Sequence, residues 1–128
     1  MPVSKPTDAE LEILQLLWQL GPSTVRTVND RLNQHREVGY TTSLKMMQIM
    51  HEKGIVTREE DGRTHVYTAA IAESDTQSVL LQQFVDNAFR GSASKLVLQA
   101  LGNHEASAAE LDEIKALIAQ LEQNQPKQ

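Results

Sequence analysis

In the stretch GYTTSLKMMQIMHEKG, residues 39–54, four hydrogen-bonding side chains recur at a spacing that suits one side of a helix: Thr41, Thr42, Lys45 and Gln48. At about 100° per residue, Thr41, Lys45, Gln48 and Glu52 share a face, Thr42 falls near the helix start, and Leu44 and Ile49 flank the polar arc. Ser43, Met46, Met47 and Met50 fall opposite and form a core stripe, methionine being a flexible filler of small cores. Short hydroxyls and an amide can bond base edges or phosphates, Lys45 can reach a guanine or a phosphate, and Leu44 can touch a thymine methyl. On this segment alone a plainer reading stays open, with Thr41 as a helix cap and Lys45 and Gln48 as solvated surface.

Other chemistries find less support. The chain has no cysteine, which removes disulfides, thiolate metal sites and a cysteine nucleophile and suits a reducing compartment. His35, His51, His65 and His104 show no metal-ligand spacing, and there is no glycine-rich phosphate loop or nucleophile motif. The chain therefore reads as no enzyme and as needing no cofactor; a weak metal site at His51 and His65 is the one metal reading left. The apolar runs of MPVSKPTDAELEILQLLWQLG are broken by Glu10, Glu12 and Gln15, so neither a secretory signal nor a membrane span is expected, and a soluble cytoplasmic protein is. The net charge of -5 at first opposes phosphate binding. Its distribution softens the objection: residues 1–70 hold eight Lys and Arg against nine Asp and Glu, residues 71–128 four against eight.

The polar helix needs elements to position it, and the chain supplies them in order. Thr7-Asp8-Ala9-Glu10 is a capping box that opens a first helix carrying Leu11, Ile13, Leu14, and Leu17 or Trp18, closed by Gly21-Pro22. Ser23 or Thr24 caps a short second helix with Val25, Val28 and Leu32 on one stripe, running to about Gln34. The third helix is expected to be capped by Thr41 and stopped at Gly54. Residues 55–60 and 63–69 read as two strands joined at Asp61-Gly62, a strong hairpin signal. Arg58 and Arg63 flank that turn, with Arg63 at the start of the returning strand as a phosphate contact, although Glu59, Glu60 and Asp61 make the tip less basic. Arg26 and Arg31 either touch backbone as well or pair with Asp30 and Glu37.

Three helices and a hairpin, in that order, make a winged helix, whose third helix enters the DNA major groove. The fold class expected is mainly α with a small β-hairpin: a winged helix-turn-helix domain over residues 1–70, a helical dimerisation region over 71–124, and a disordered tail at 125–128. Winged helices also serve as protein-binding modules, and that alternative, without sequence-specific DNA binding, remains.

After Ala70 the pattern is wholly helical, with capping boxes at Ser74 to Gln77 and Ser107 to Glu110 and a shorter helix from about Ser94. These helices carry more large apolar residues than isolated helices can bury: Leu80, Leu81, Phe84, Phe89, Leu98, Leu101, Leu111, Ile114, Ile118 and Leu121 among them. At roughly 1.5–3 kcal/mol per large side chain buried, covering half of them outweighs an association cost of about 4–15 kcal/mol. The rival is that the helices fold back on their own winged helix; Leu80-Leu81 and Leu96-Val97-Leu98, apolar on more than one face, favour a homodimer.

The runs PTDAELEILQLLW, VRTVNDRL and YTTSLKMMQIMHEKGIVTREEDGRTHVY resemble the BlaI/MecI/CopY family, the penicillinase and copper-homeostasis repressors. The resemblance spans nearly the whole chain and is densest over residues 40–67. It implies a homodimeric winged-helix repressor on a double-stranded DNA operator, an imperfect dyad often with TACA and TGTA half-sites, with the later helices intertwined with a partner chain. By position, Thr41, Thr42, Lys45 and Gln48 would face the groove and Arg63 would lie on the wing. Ile49 stands where many members carry arginine. The antibiotic-responsive members are cut at an Asn-Phe bond where this chain has Gln99-Ala100, and the copper-responsive members end in a cysteine-rich motif that it lacks. The releasing signal is left to an unidentified inducer or sensor protease.

Overall fold

A computed structural model describes residues 5–103 and 105–125; His104 and residues 126–128 of the expected tail lie outside the described residues. Helix α1, Asp8–Leu20, starts on the expected capping box: the Glu10 amide donates to Thr7 Oγ1 at 3.1 Å and the Thr7 amide to Glu10 Oε1 at 2.9 Å. It ends at Gly21, whose φ of +81° glycine tolerates and whose amide reaches Leu17 O at 2.9 Å. Strand β1, Ser23–Thr24, leads into helix α2, Val25–Leu32, capped by Thr24 Oγ1 on the Thr27 amide at 3.2 Å.

Helix α3, Tyr40–Glu52, begins earlier than the sequence suggested. Its N-cap is Gly39, with no side-chain cap, so Thr41 lies inside the first turn and its hydroxyl is not used for capping. The cause is the preceding loop: Asn33 Oδ1 accepts from the Val38 amide at 3.1 Å, and Asn33 Nδ2 donates to Val38 O at 2.9 Å. That clasp delivers extended backbone to Gly39, and the helix starts there.

Strands β2, Val56–Asp61, and β3, Thr64–Ala69, complete an antiparallel sheet of order β1-β3-β2. Asp61 still pairs with Thr64, so the turn consists of Gly62 and Arg63, one residue later than the Asp61-Gly62 expected. Gly62 takes the positive φ, +66°, at the first central position, the place where a type II′ hairpin turn requires glycine. Arg63 therefore stands in the turn itself rather than at the start of the returning strand.

The core gathers Ile13, Leu14 and Leu17 of α1, Val25, Val28 and Leu32 of α2, Met47 and Met50 of α3, and Ile55, Val56 and Tyr67 of the hairpin. Tyr67 is 1% exposed and pairs with Ser23 on one side and Arg58 on the other, joining the three strands over the helices. Trp18 Nε1 donates to Ile71 O at 3.0 Å and fixes the chain as it leaves β3.

The chain divides into two compact units, Met1–Gln83 and Phe84–Gln128, with the division inside helix α4, Glu73–Ala88. Helix α4 begins at Glu73, so Ser74 is an internal residue rather than the start of a capping box. The second unit continues with α5, Ala93–Asn103, and α6, Ala108–Gln123, the latter opened by the expected box of Ser107 and Glu110. Phe84 and Phe89 meet edge to face, centroids 5.7 Å apart. Neither α5 nor α6 has a buried residue, and Leu81, Phe84, Leu98, Leu101, Leu111, Ile118 and Leu121 are all exposed, Leu98 by 71%. Leu80, Phe89 and Ile114 are half-buried.

Candidate nucleic-acid interface

Helix α3 divides as its periodicity requires. Ser43, Met47 and Met50 are buried, Met46 is half-buried against the core, and Thr41, Thr42, Lys45 and Gln48 are exposed. None of the four exposed polar side chains makes a hydrogen bond or ion pair among the described residues, so their donors and acceptors stand open to an outside partner. Leu44 behaves differently from the rest of the expected set: it is half-buried and packs against the core.

Two polar fastenings set the pose of this helix. At its start, Asn29 of α2, nearly buried, donates from Nδ2 to Ser43 Oγ at 2.8 Å and to Val38 O at 3.0 Å. A buried hydroxyl and a buried amide satisfy each other, which fixes the angle between α2 and α3. At the other end Lys53 Nζ lies 2.8 Å from Oε2 of Glu10, a carboxylate only 2% exposed. Burial pushes the Glu10 carboxyl up, but hydrogen bonds from Lys53 and Thr7, with the Lys53 charge, outweigh it and hold the group below its usual value. The Thr7 to Glu10 signal showed only a cap; the reach to Lys53, 43 residues on, carried no local signature.

Between α3, the start of α2 and the wing lies a cleft of about 630 Å³. Its walls include Gln48, Leu44 and Tyr40 of α3, Arg26 of α2, and Arg58, Arg63 and His65 of the hairpin. The Arg26 guanidinium lies 5.1 Å from the centroid of the Tyr40 ring, a cation–π contact that holds it over the cleft while keeping its charge. Neither Arg26, Arg31, Arg58 nor Arg63 has an ion-pair partner among the described residues; the expected pairing of Arg26 or Arg31 with Asp30 or Glu37 is not formed. His65 Nδ1 is buried without a hydrogen-bond partner among the described residues.

The register also sorts the acidic residues of the wing. Alternate residues of a strand face opposite sides, so Arg58 and Glu60 share one face of β2 while Glu59 and Asp61 take the other. The acidity read from EED is thus split across two faces, and Arg58 is left as a cleft residue. Arg58 was legible as a turn neighbour; Tyr40 and His65 were missed, because only the tertiary fold brings them beside Arg26 and Gln48. Among the described residues no group of three or more metal-ligating side chains occurs, and no helix is long and apolar enough to cross a membrane.

A helix-turn-helix whose outer helix presents unpartnered polar groups beside a basic winged cleft defines the chain as a winged-helix protein of the DNA-reading type. The sequence matches the penicillinase repressor family over residues 6–120, and the chain belongs to that family. It is 28% identical over 112 residues to the penicillinase repressor of Bacillus licheniformis, covering 88% of each chain. It is 28% identical over 120 residues to the transcriptional regulator BlaI of Mycobacterium tuberculosis, covering 90% of this chain and 83% of that one. Among solved structures it is similar to the monomeric form of Bacillus licheniformis BlaI in complex with the blaP half-operator, with a TM-score of 0.50 and 28% identity, covering 58% of this chain and 90% of that one.

Proposed function

We infer that the chain is a DNA-binding transcriptional repressor that acts as a homodimer on a dyad operator. Helix α3 enters the major groove, with Thr41, Thr42, Lys45 and Gln48 at the bases and nearby phosphates, and the wing lies along the backbone with Arg63 at its tip. The observation that carries this reading is the juxtaposition of four unpartnered polar side chains on α3 with a cleft whose arginines have no counter-ion among the described residues. An exposed cation surplus of that kind suits a polyanion, and the three guanidiniums Arg26, Arg58 and Arg63 stand where phosphates would pass. The half-operator complex of the Bacillus licheniformis relative supports the same partner class. Leu44, half-buried against the core, has only its exposed part left for the thymine-methyl contact expected of it.

Homodimerisation rests on the exposed apolar faces of α4, α5 and α6. Leu80, Leu81, Phe84, Phe89, Leu98, Leu101, Leu111, Ile114, Ile118 and Leu121 supply a surface that is costly to leave in water. A two-fold dimer doubles the phosphate contacts, and the acidity of the second half disfavours nonspecific binding. A DNA partner places the protein in the cytoplasm. Release of the operator is assigned to an unidentified inducer or a sensor protease; Gln99-Ala100, standing where antibiotic-responsive members have their scissile Asn-Phe pair, gives no support to cleavage at that bond by the same type of protease.

The test is selection of bound fragments from genomic DNA, followed by titration of the enriched dyad with the wild-type chain and with Lys45→Ala/Gln48→Ala. A loss of roughly 1–3 kcal/mol for each good base contact is expected. Equal affinity for dyad and random duplex would sink the reading, and unchanged dyad binding by the double variant would remove these two residues from the site.

A further inference from the structure

The reading helix has two unlike flanks. On the wing side, Leu44 and Gln48 border the arginine cleft. On the other side, Thr42, Met46 and Ile49 follow at i, i+4 and i+7, and with Thr41 and Lys45 they line a shallow depression of about 300 Å³. Met46 leans on the core, but Ile49 is half-buried without belonging to the core cluster. An isoleucine that contributes to no core, set in the same depression as an exposed Thr41 and Lys45, is an apolar spot within an otherwise polar surface.

Such a spot discriminates strongly between groove partners. Base amino and carbonyl groups pressed against it would lose water without gaining a hydrogen bond. The major-groove edge offers one apolar group, the 5-methyl of thymine. We propose that the depression between Thr42, Met46 and Ile49 is a thymine-methyl subsite, and that Ile49 sets the preference for thymine at one position of each half-site. The proposal rests on the placement of α3 in the major groove. Lys45 and Thr41, on the rim, fix the neighbouring base or phosphate, so that the methyl enters the depression while its own O4 remains open to the rim.

Replacing thymine by uracil removes that methyl and leaves the hydrogen-bonding edge intact, which isolates the proposed contact without altering the protein. The full chain is used to enrich duplexes from a random library, and each thymine of the enriched dyad is then replaced by uracil in turn. One position per half-site should lose affinity about fourfold, the worth of one buried methyl group. Ile49→Ala should erase that sensitivity and accept other bases there, while its thermal unfolding stays close to wild type because Ile49 is outside the core. Indifference to uracil at every position, or an undiminished uracil effect with Ile49→Ala, would overturn the subsite. Failure to enrich any sequence would instead remove groove reading itself, and the subsite with it.

Discussion

Replacing Asn29 by alanine should loosen the join between α2 and α3 more than its modest size suggests. Its amide makes two bonds, to Ser43 Oγ at 2.8 Å and to Val38 O at 3.0 Å. The carbonyl of Val38 keeps Asn33 Nδ2 at 2.9 Å, so it is not orphaned. Ser43, 1% exposed, has no such second partner among the described residues. Losing one net hydrogen bond and leaving one buried hydroxyl unsatisfied costs roughly 2–4 kcal/mol. Urea unfolding followed by far-UV circular dichroism, at one fixed protein concentration because the proposed dimer would add to stability, measures the loss as a fall in midpoint at constant slope. The sharper readout is the cycle with Ser43→Ala. Removing both partners takes away the orphaned group, so the double variant should be more stable than the sum of the single losses by about 1–2 kcal/mol. Coupling within about 0.5 kcal/mol of zero would refute the claim that this bond sets the pose of α3.

Three further outcomes follow from the same geometry. Glu10 is held below its usual value, so its contribution is complete above the unfolded carboxylate range and is lost as pH falls through the folded value; Glu10→Gln should flatten that acid limb in unfolding experiments from pH 7 down to pH 3. Arg26→Ala and Arg63→Ala should each weaken binding alike across sequences and reduce the slope of log affinity against log salt by about 1, if each guanidinium neutralises one phosphate; an unchanged slope would take that arginine off the backbone. Leu98→Asp should shift the protein toward monomer in sedimentation equilibrium while leaving the circular dichroism of the first unit intact, and a variant as dimeric as wild type would take α5 out of the interface.

Local grammar made much of the fold legible. The boxes at Thr7 and Ser107, the Gly21 and Gly54 stops and the methionine stripe of α3 are all statements about neighbouring residues, and each holds in the structure. Thr41 and Ser74 failed as caps for one shared reason: a suitable hydroxyl marks a helix start only if the backbone is still extended there, and in both cases the helix had begun upstream. Strand β1 was missed because two residues show no alternation; it exists through its pairing with Val66 and Tyr67. The turn slipped by one residue because Asp-Gly and Gly-Arg both fit a two-residue hairpin, and the pairing of Asp61 with Thr64 decides. For the candidate site, the polar arc of α3 could be read from period alone. The contact of Arg26 with Tyr40, the orphaned Nδ1 of His65 and the bond from Asn29 to Ser43 join residues from separate elements, and no spacing announces them.

The two fastenings of α3 have a mechanical meaning. With Ser43 tied to α2 at one end and Lys53 tied to the first turn of α1 at the other, the reading helix is a beam fixed at both supports. Docking such a beam would demand little ordering of the protein, so with the proposed contacts the entropic toll of association would fall mainly on side-chain tips such as Lys45 and Gln48. The duplex is then the compliant partner: a sequence whose steps bend easily to the shape of the beam gains affinity at positions no side chain touches, and a stiff one loses it.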